Sequence, residues 1–234
     1  MSFIKLESVG KSYQSGELVV AALKDVSLEI AEASFVSFVG PSGSGKSTLL
    51  NLLGCLDQPS SGLLSINGTL INKLNQIERA RFRGQNIGFI FQNFNLLPIL
   101  TVFENVEYPL YMVQDMPKDD RKKRVLNLLE KVGMLDQKDK YPNQISGGQK
   151  QRVAVARALV TSPKVVLADE PTANLDSATA FQVIKVLHDM RDEFGTTFVF
   201  ATHDPKIVKE AEVIYTLEDG MIKNFQAISK GRGE

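Results

Sequence analysis

The chain has 234 residues, with 27 Lys plus Arg against 27 Asp plus Glu, so its formal net charge is zero with both histidines neutral. That balance gives no overall field toward nucleic acid or an anionic membrane, and the length allows one large domain or two small ones with a true apolar core. A lone cysteine, Cys55 in NLLGCLD, excludes an intrachain disulfide and a cysteine-cluster zinc site, reads as a small core residue and fits a reducing compartment.

The first residues, MSFIKLESVGKSY, lack the apolar segment of a signal peptide, and no window approaches the ~18 apolar residues of a membrane span. The chain is expected to be soluble by itself, so that any work at a membrane requires something else to hold it there. Next in order, FIKLESVGKSY, VSLEI and LLSING read as exposed or half-buried strands with turns, the pattern of a small antiparallel sheet. FVSFV (35–39) is different: a near-continuous apolar run that leads into glycines and then KSTLLNLLG. NIGFIF (86–91), VVLA (165–168), TTFVFAT (196–202) and VIYTL (213–217) are similar, which suits strands buried on both faces of a parallel sheet covered by helices. Helical patterns occupy 118–132, 147–161 and 177–193, and the stretch from about 93 to 141 also reads helical. There TVFENV opens on a capping box, Thr101 with Glu104, and MPKDDRKKR reads as a solvated helix start. The alternation of strand and helix predicts an α/β fold.

GPSGSGKST, residues 40–48, matches G-x-x-x-x-G-K-[ST] with a strand before it and a helix after. In that setting the loop formed by Gly40, Pro41, Ser42, Gly43, Ser44 and Gly45 wraps phosphates with backbone amides. Lys46 reaches the outer phosphates, the Ser47 hydroxyl can ligate Mg²⁺, and Thr48 lies beside it. VVLADEP supplies a second element, because a carboxylate at the C-terminal end of a buried strand, Asp169, sits where such sheets bind ligands and can hold Mg²⁺ through water. Glu170 follows directly and, within a strand, points away from Asp169, placed to act on a water attacking a γ-phosphate. Alone, the pair also reads as two surface acids at a strand end. The combination predicts a nucleoside triphosphatase. Guanine is disfavoured, since the nearest match to N-K-x-D, in INKLN, has Asn72 and Lys73 but ends in Asn75.

ISGGQKQR (145–152) poses a further question. Ser146 and Gln149 fit a capping box, yet Gly147 and Gly148 within it cost about 1 kcal/mol each relative to alanine. By itself the stretch is either a plain cap or a bare backbone for an anion, and both readings stay open. In the company of the two phosphate motifs it resembles the signature sequence of ABC ATPases. The remaining motifs of that family stand in order: Tyr13 near the start, Gln92 in FIFQ, ANLD after Glu170, and His203 in FATHD. The resemblance runs from residue 2 to about 225.

The resemblance implies a P-loop ABC-type ATPase domain with a RecA-like core, an N-terminal antiparallel β subdomain and an inserted α-helical subdomain. The whole of 1–234 would be one such domain: core and β subdomain over about 1–92 and 146–225, helical subdomain over about 93–145, and a polar tail, 226–234, within which ISKGRGE (228–234) is expected from its composition to be disordered. It implies ATP and Mg²⁺ as ligands, with Ser47, Gln92 and Asp169 on the metal and Glu170, His203, Gln92 and Lys46 as the catalytic set. Tyr13 would stack on adenine and His203 would hydrogen-bond the γ-phosphate. Two copies would pair head to tail, bringing Ser146, Gly147, Gly148 and Gln149 of one to the nucleotide of the other, with Asp176 linking the two sites. Taken singly these residues read more plainly: Tyr13 as a wet strand tyrosine, Gln92 as a polar strand end, His203 and Asp176 as helix caps. His188, mid-helix, reads as a surface residue.

LLNLLGCLDQPSSG, IGFIFQNFNLLPILTVFENVEYPL and LADEPTANLD are similar to the branch with LolD-type lipoprotein-release ATPases and MacB-type macrolide or peptide exporters. That branch implies a membrane permease with a large extracytoplasmic domain, no nucleic-acid partner, and a peripheral place on the cytoplasmic face of the inner membrane. The end at Glu234 and the lack of a further domain favour the stand-alone LolD type over MacB-type and maltose-type chains. The competing reading is an FtsE-type regulatory ATPase that signals through a membrane partner without moving substrate. The apolar set Phe94, Leu96, Leu97, Leu100 and Phe103 is either a docking surface for that partner or ordinary core. Three departures from the family pattern are Ile145 for leucine, Ala173 for the glycine of PTGNLD, and Ala33–Ser34 for Gly-Glu. None removes a catalytic group, so activity is expected to survive.

Overall fold

The computed structural model describes residues 2–16, 18–113 and 115–228. In chain order the elements are β1 (Ile4–Ser15), β2 (Leu18–Ile30), β3 (Phe35–Val39), α1 (Lys46–Leu53), β4 (Ser61–Ile66), β5 (Thr69–Leu70) and α2 (Gln76–Asn86). Then come β6 (Ile87–Ile90), α3 (Val102–Val113), α4 (Lys118–Lys131), α5 (Gly147–Leu159), β7 (Val165–Asp169) and α6 (Ser177–Phe194). Last are β8 (Thr197–Ala201), α7 (Pro205–Glu210), β9 (Val213–Glu218) and β10 (Met221–Ala227). The chain divides into two units, one formed by residues up to Ala80 with those from Thr197 onward, the other by Arg81–Thr196.

The first unit holds an antiparallel sheet in the order β2-β1-β4-β5 and a second set in the order β10-β9-β3-β8. β3 runs parallel to both β8 and β9, and β10 closes the edge antiparallel to β9. The continuous apolar runs become the strands covered on both faces: the first four residues of β3 and all of β8 are buried. Phe35 and Phe200 meet there with ring centroids 4.4 Å apart, and α1 buries Leu49, Leu50, Leu52 and Leu53. The final strand was not foreseen; β10 mixes apolar and polar residues and is mostly exposed, so no continuous apolar run announces it. It takes in Gln226 and Ala227 of the polar tail, of which 229–234 lie outside the described residues.

In the second unit β6 and β7 pair in parallel, and α5 lies against β6. The approach is close: a Cβ at Gly88 would sit 2.3 Å from the Ala158 carbonyl oxygen. α3, α4 and α6 also pack on α5. Both capping boxes read from sequence are present, with the Thr101 amide donating to Glu104 Oε2 at 2.7 Å and the Glu104 amide to Thr101 Oγ1 at 3.2 Å. The helical reading of 93–141 holds only from Val102, because Phe94 and Asn95 take left-handed φ of 60° and 48° and the chain to Leu100 is a loop. Asn105, 1% exposed, grips that loop: it accepts from the Leu97 amide and donates to the carbonyls of Leu97, Leu100 and Thr101.

Two side-chain expectations and one helix differ from the sequence reading. His188 is half-buried on α6 rather than on the surface. Of the apolar set proposed for docking only Leu97 is exposed; Phe94, Leu96, Leu100 and Phe103 are half-buried. α2 was not anticipated, because it buries no residue and so carries no apolar stripe. No helix among the described residues is long and apolar enough to cross a membrane.

Candidate functional site

The sequence-predicted residues fall into two groups, one in each unit. In the first unit, residues 40–48 join the end of β3 to the start of α1. Gly45 has φ 104°, a conformation that glycine alone adopts easily, and a Cβ there would lie 2.8 Å from the Ala22 carbonyl oxygen. α1 therefore begins with no side-chain cap and no acidic residue in its first turn. Free amides at a helix N-terminus, with the dipole behind them, favour a phosphate. Pro41, Ser42, Gly43 and Ser47 are exposed around this start, and Lys46 Nζ donates to the carbonyls of Gly40 and Pro41 at 2.8 and 2.9 Å. Ser44 Oγ is buried without a partner among the described residues, a polar atom left for something outside the chain.

Tyr13, on β1, is 39% exposed and belongs to a small polar cluster that sequence reasoning missed. Its phenol donates to Asp57 Oδ2 at 3.0 Å, while Lys11 Nζ donates to Asp57 Oδ1 at 2.5 Å and lies 4.9 Å from the Tyr13 ring centroid. Burial pushes the phenol up, and the hydrogen bond to Asp57 adds to it. Burial alone would raise the Asp57 carboxyl, but hydrogen bonds from Lys11, the Gln58 amide and Tyr13 outweigh it and hold the group below its ordinary 3.8. His203 is exposed just after β8, ahead of α7.

In the second unit the start of α5 answers half of the question posed by its glycines. Ser146 and Gln149 cap each other: the Gln149 amide donates to Ser146 Oγ at 3.3 Å and the Ser146 amide to Gln149 Oε1 at 2.9 Å. A Cβ at Gly148 would meet Thr179 Cγ2 at 2.1 Å, so this glycine is required by the packing of α5 on α6. At Gly147 the nearest atoms to a Cβ are 3.9 Å away, and nothing within the unit demands glycine. Asp176 caps α6, accepting from the amides of Ala178 and Thr179, and the Thr179 hydroxyl and amide hold its carboxyl below the usual range.

Gln92 is exposed beyond β6 in a loop fastened from two sides. Asn174 Nδ2 donates to the Gln92 carbonyl at 2.9 Å, and Arg157 of α5 donates through Nη2 to the Phe94 carbonyl at 2.7 Å and through Nη1 to that of Asn95. Burial pushes the Arg157 guanidinium down. Asp169 ends β7, but Glu170 does not continue the strand: its φ of 45° is left-handed. The strand alternation invoked for Glu170 therefore does not apply, and its direction is set by a turn. Ala173 has no positive φ, so its backbone does not call for the glycine it replaces. Asn72 and Asn75 have structural work: Asn72 bridges β4 through the Leu64 amide and Gly62 carbonyl, and Asn75 caps α2. A cavity of about 320 Å³ in this unit is lined by Arg83, Phe89, Phe91, Asn95, Pro109 and Arg157 among others.

Known proteins place these features in context. The family model described as ABC transporter matches residues 23–173. The chain is 46% identical over 229 residues to the ABC transporter ATP-binding protein MJ0796 of Methanocaldococcus jannaschii, covering 96% of this chain and 97% of that one. It is 43% identical over 224 residues to the macrolide export ATP-binding/permease protein MacB of Syntrophobacter fumaroxidans, covering 95% of this chain but only 31% of the larger relative. Its fold superposes on a dimeric post-hydrolysis state of the MJ0796 cassette bound to ADP and Pi with a TM-score of 0.89, at 44% identity and 99% and 100% coverage.

Proposed function

The chain belongs to the ABC transporter family and is an ATPase, and from that premise we propose that it is the motor subunit of a lipoprotein-release or macrolide- or peptide-export system. Two copies would close head to tail on ATP, at the cytoplasmic face of the inner membrane, and drive a permease with a large extracytoplasmic domain. The observation that carries this reading is Gly147: on a helix start already capped by Ser146 and Gln149, its backbone is bare although no atom of the unit lies within 3.9 Å of where a Cβ would be. A bare amide at a helix N-terminus suits the γ-phosphate of a nucleotide carried by a second copy.

Within one copy the uncapped start of α1 and Lys46 would bind the triphosphate, Tyr13 would carry the adenine, and Glu170 would take the proton of the attacking water while His203 holds the γ-phosphate. Ser47, Gln92 and Asp169 offer the hard oxygen donors that suit Mg²⁺, which when bound would offset charge on the phosphate oxygens. The exposed apolar residues Ile99, Tyr108, Tyr111 and Met112, 45% to 82% exposed, replace the half-buried set as the surface for the membrane partner.

The test uses Glu170→Gln. With ATP and Mg²⁺ this variant should stop turning over and double in mass by light scattering, and should retain a membrane protein with a large external domain when recovered from native membranes. Multiple turnover would remove Glu170 from its role. A membrane partner bound to cell-wall enzymes instead of a lipoprotein, peptide or drug would favour the FtsE-type regulatory reading.

A further inference from the structure

The loop that carries Gln92 does not hold itself. Its two hydrogen bonds from within are local, the Phe94 amide to the Phe91 carbonyl at 3.1 Å and the Asn95 amide to the Asn93 carbonyl at 2.6 Å. Phe94 and Asn95 both stand in the left-handed region, which asparagine enters readily but a bulky residue such as Phe94 only when its surroundings hold it there. The surroundings are two side chains from distant sequence. Arg157 brackets the consecutive carbonyls of Phe94 and Asn95 with the two arms of one guanidinium, and Asn174 holds the carbonyl of Gln92 and, at 3.4 Å, Asn93 Oδ1. Three of the four carbonyls of 92–95 are thereby tied down. Arg157 lies on α5, which is capped by Ser146 and opens with Gly147 and Gly148, and Asn174 lies between Glu170 and Asp176. The ring of Phe94 and the carbonyl of Asn174 are both 3.9 Å from the Cβ position of Gly147.

We propose that Arg157 and Asn174 are positioning residues for Gln92, setting its side chain through the backbone of 92–95 and joining it to the start of α5 and to the segment between Glu170 and Asp176. Neither touches the reacting atoms. The inference rests on the reading of Gln92 as a contact for Mg²⁺ and the attacking water. A planar two-armed donor can hold two neighbouring carbonyls at once, which an ammonium cannot, so lysine should replace arginine only in part.

The experiment compares Arg157→Met, Arg157→Lys, Asn174→Ala and Gln92→Ala in the full chain. It reads the free Mg²⁺ for half-maximal hydrolysis, metal-free binding of a labelled ATP, and amide exchange at 93–95. Arg157→Met and Asn174→Ala should each raise the Mg²⁺ requirement and lower kcat about tenfold, within the range that small misplacements of reacting groups produce. Exchange at 93–95 should quicken, metal-free ATP binding should stay within about twofold, and Arg157→Lys should recover part of the loss. Adding Arg157→Met to Gln92→Ala should change little more, since both act through one side chain. A normal Mg²⁺ requirement in Arg157→Met and Asn174→Ala beside a raised one in Gln92→Ala overturns the proposal alone. A normal requirement in Gln92→Ala overturns the reading of Gln92 and the proposal with it. Should Arg157→Met fail to fold, the exposed Asn174→Ala decides.

Discussion

Tyr13 and Asp57, 44 residues apart in sequence, are joined by a 3.0 Å hydrogen bond in which the phenol donates, and Lys11 completes the cluster from the other carboxylate oxygen. Asp57→Asn should remove the ion pair and weaken the fixing of Tyr13. The Lys11 and Asp57 side chains are 11% and 31% exposed, so the stability loss at pH 7 should be about 0.5–1 kcal/mol, the range of screened pairs. Its pH course follows from the sign: a carboxyl held below 3.8 stabilises the fold above that value and loses this contribution as the pH falls through its folded pKa. Urea unfolding of wild type and Asp57→Asn should therefore differ by a constant amount from pH 7 to about 5 and converge as the pH drops below 3.8 and through the folded pKa of the carboxyl. A gap that persists in acid would show that the carboxylate charge is not what matters. If Tyr13 carries the adenine, the same variant should raise the KM for ATP more than it lowers kcat.

Ala33 sits at φ 54° in the turn before β3, where the family pattern has glycine. The turn keeps its anchors, with the Ala33 amide donating to Thr197 Oγ1 at 3.0 Å and Ser34 Oγ to the Ala31 carbonyl at 2.7 Å. The methyl is thus held in a conformation that costs an L-residue about 1 kcal/mol or more relative to glycine. Ala33→Gly should accordingly stabilise the protein by about 0.5–1 kcal/mol, after the larger unfolded-state entropy of glycine is subtracted. The urea midpoint should rise with an unchanged m-value.

Asn105 illustrates a buried polar group that is fully used. Removing its amide leaves the Leu97 amide and the carbonyls of Leu97 and Leu100 without the partner they have now, in a region where Asn105 itself is 1% exposed. Asn105→Ala should destabilise by about 3 kcal/mol, the cost of unsatisfied buried groups added to a small cavity. Amide exchange should quicken first at Leu97. A loss confined to a few tenths of a kcal/mol would mean that water replaces the side chain.

What was legible in the sequence was local. Ser146 with Gln149, Thr101 with Glu104, and the apolar run of β3 ahead of residues 40–48 are patterns closed within a few positions, and each forms as read. Partnerships across the chain were not legible. Arg157 meets Phe94 63 residues away and Asn174 meets Gln92 82 residues away, so neither arginine nor asparagine stands out before the fold brings the loop to it. Glu170 shows a different limit. A run such as VVLADEP marks a buried strand but not its last residue, and the turn to φ 45° falls one residue after Asp169. The half-burial of His188 was missed because a helix position next to an apolar stripe is assigned by its own polarity, whereas in the fold this position of α6 is half-buried.

Gly147 and Gly148 should separate under mutation, although they are neighbours of one residue type. A methyl at Gly148 would lie 2.1 Å from Thr179 Cγ2, and Thr179 cannot swing aside freely because its hydroxyl donates to Asp176 Oδ2 at 2.6 Å. Gly148→Ala should destabilise by about 1–3 kcal/mol, the usual cost of overpacking, and Thr179→Ser in the same chain should restore most of it by removing the methyl. Gly147→Ala has room, with nothing nearer than 3.9 Å, and should leave stability unchanged or raise it by about 0.5 kcal/mol through better helix propensity. Yet it should lower ATP turnover if a nucleotide on a second copy approaches that backbone. Stability and turnover measured on both variants give the answer. A Gly147→Ala chain that is stable, binds ATP as a monomer and hydrolyses slowly assigns the bare backbone to the partner's nucleotide. One that hydrolyses at the wild-type rate removes Gly147 from the site.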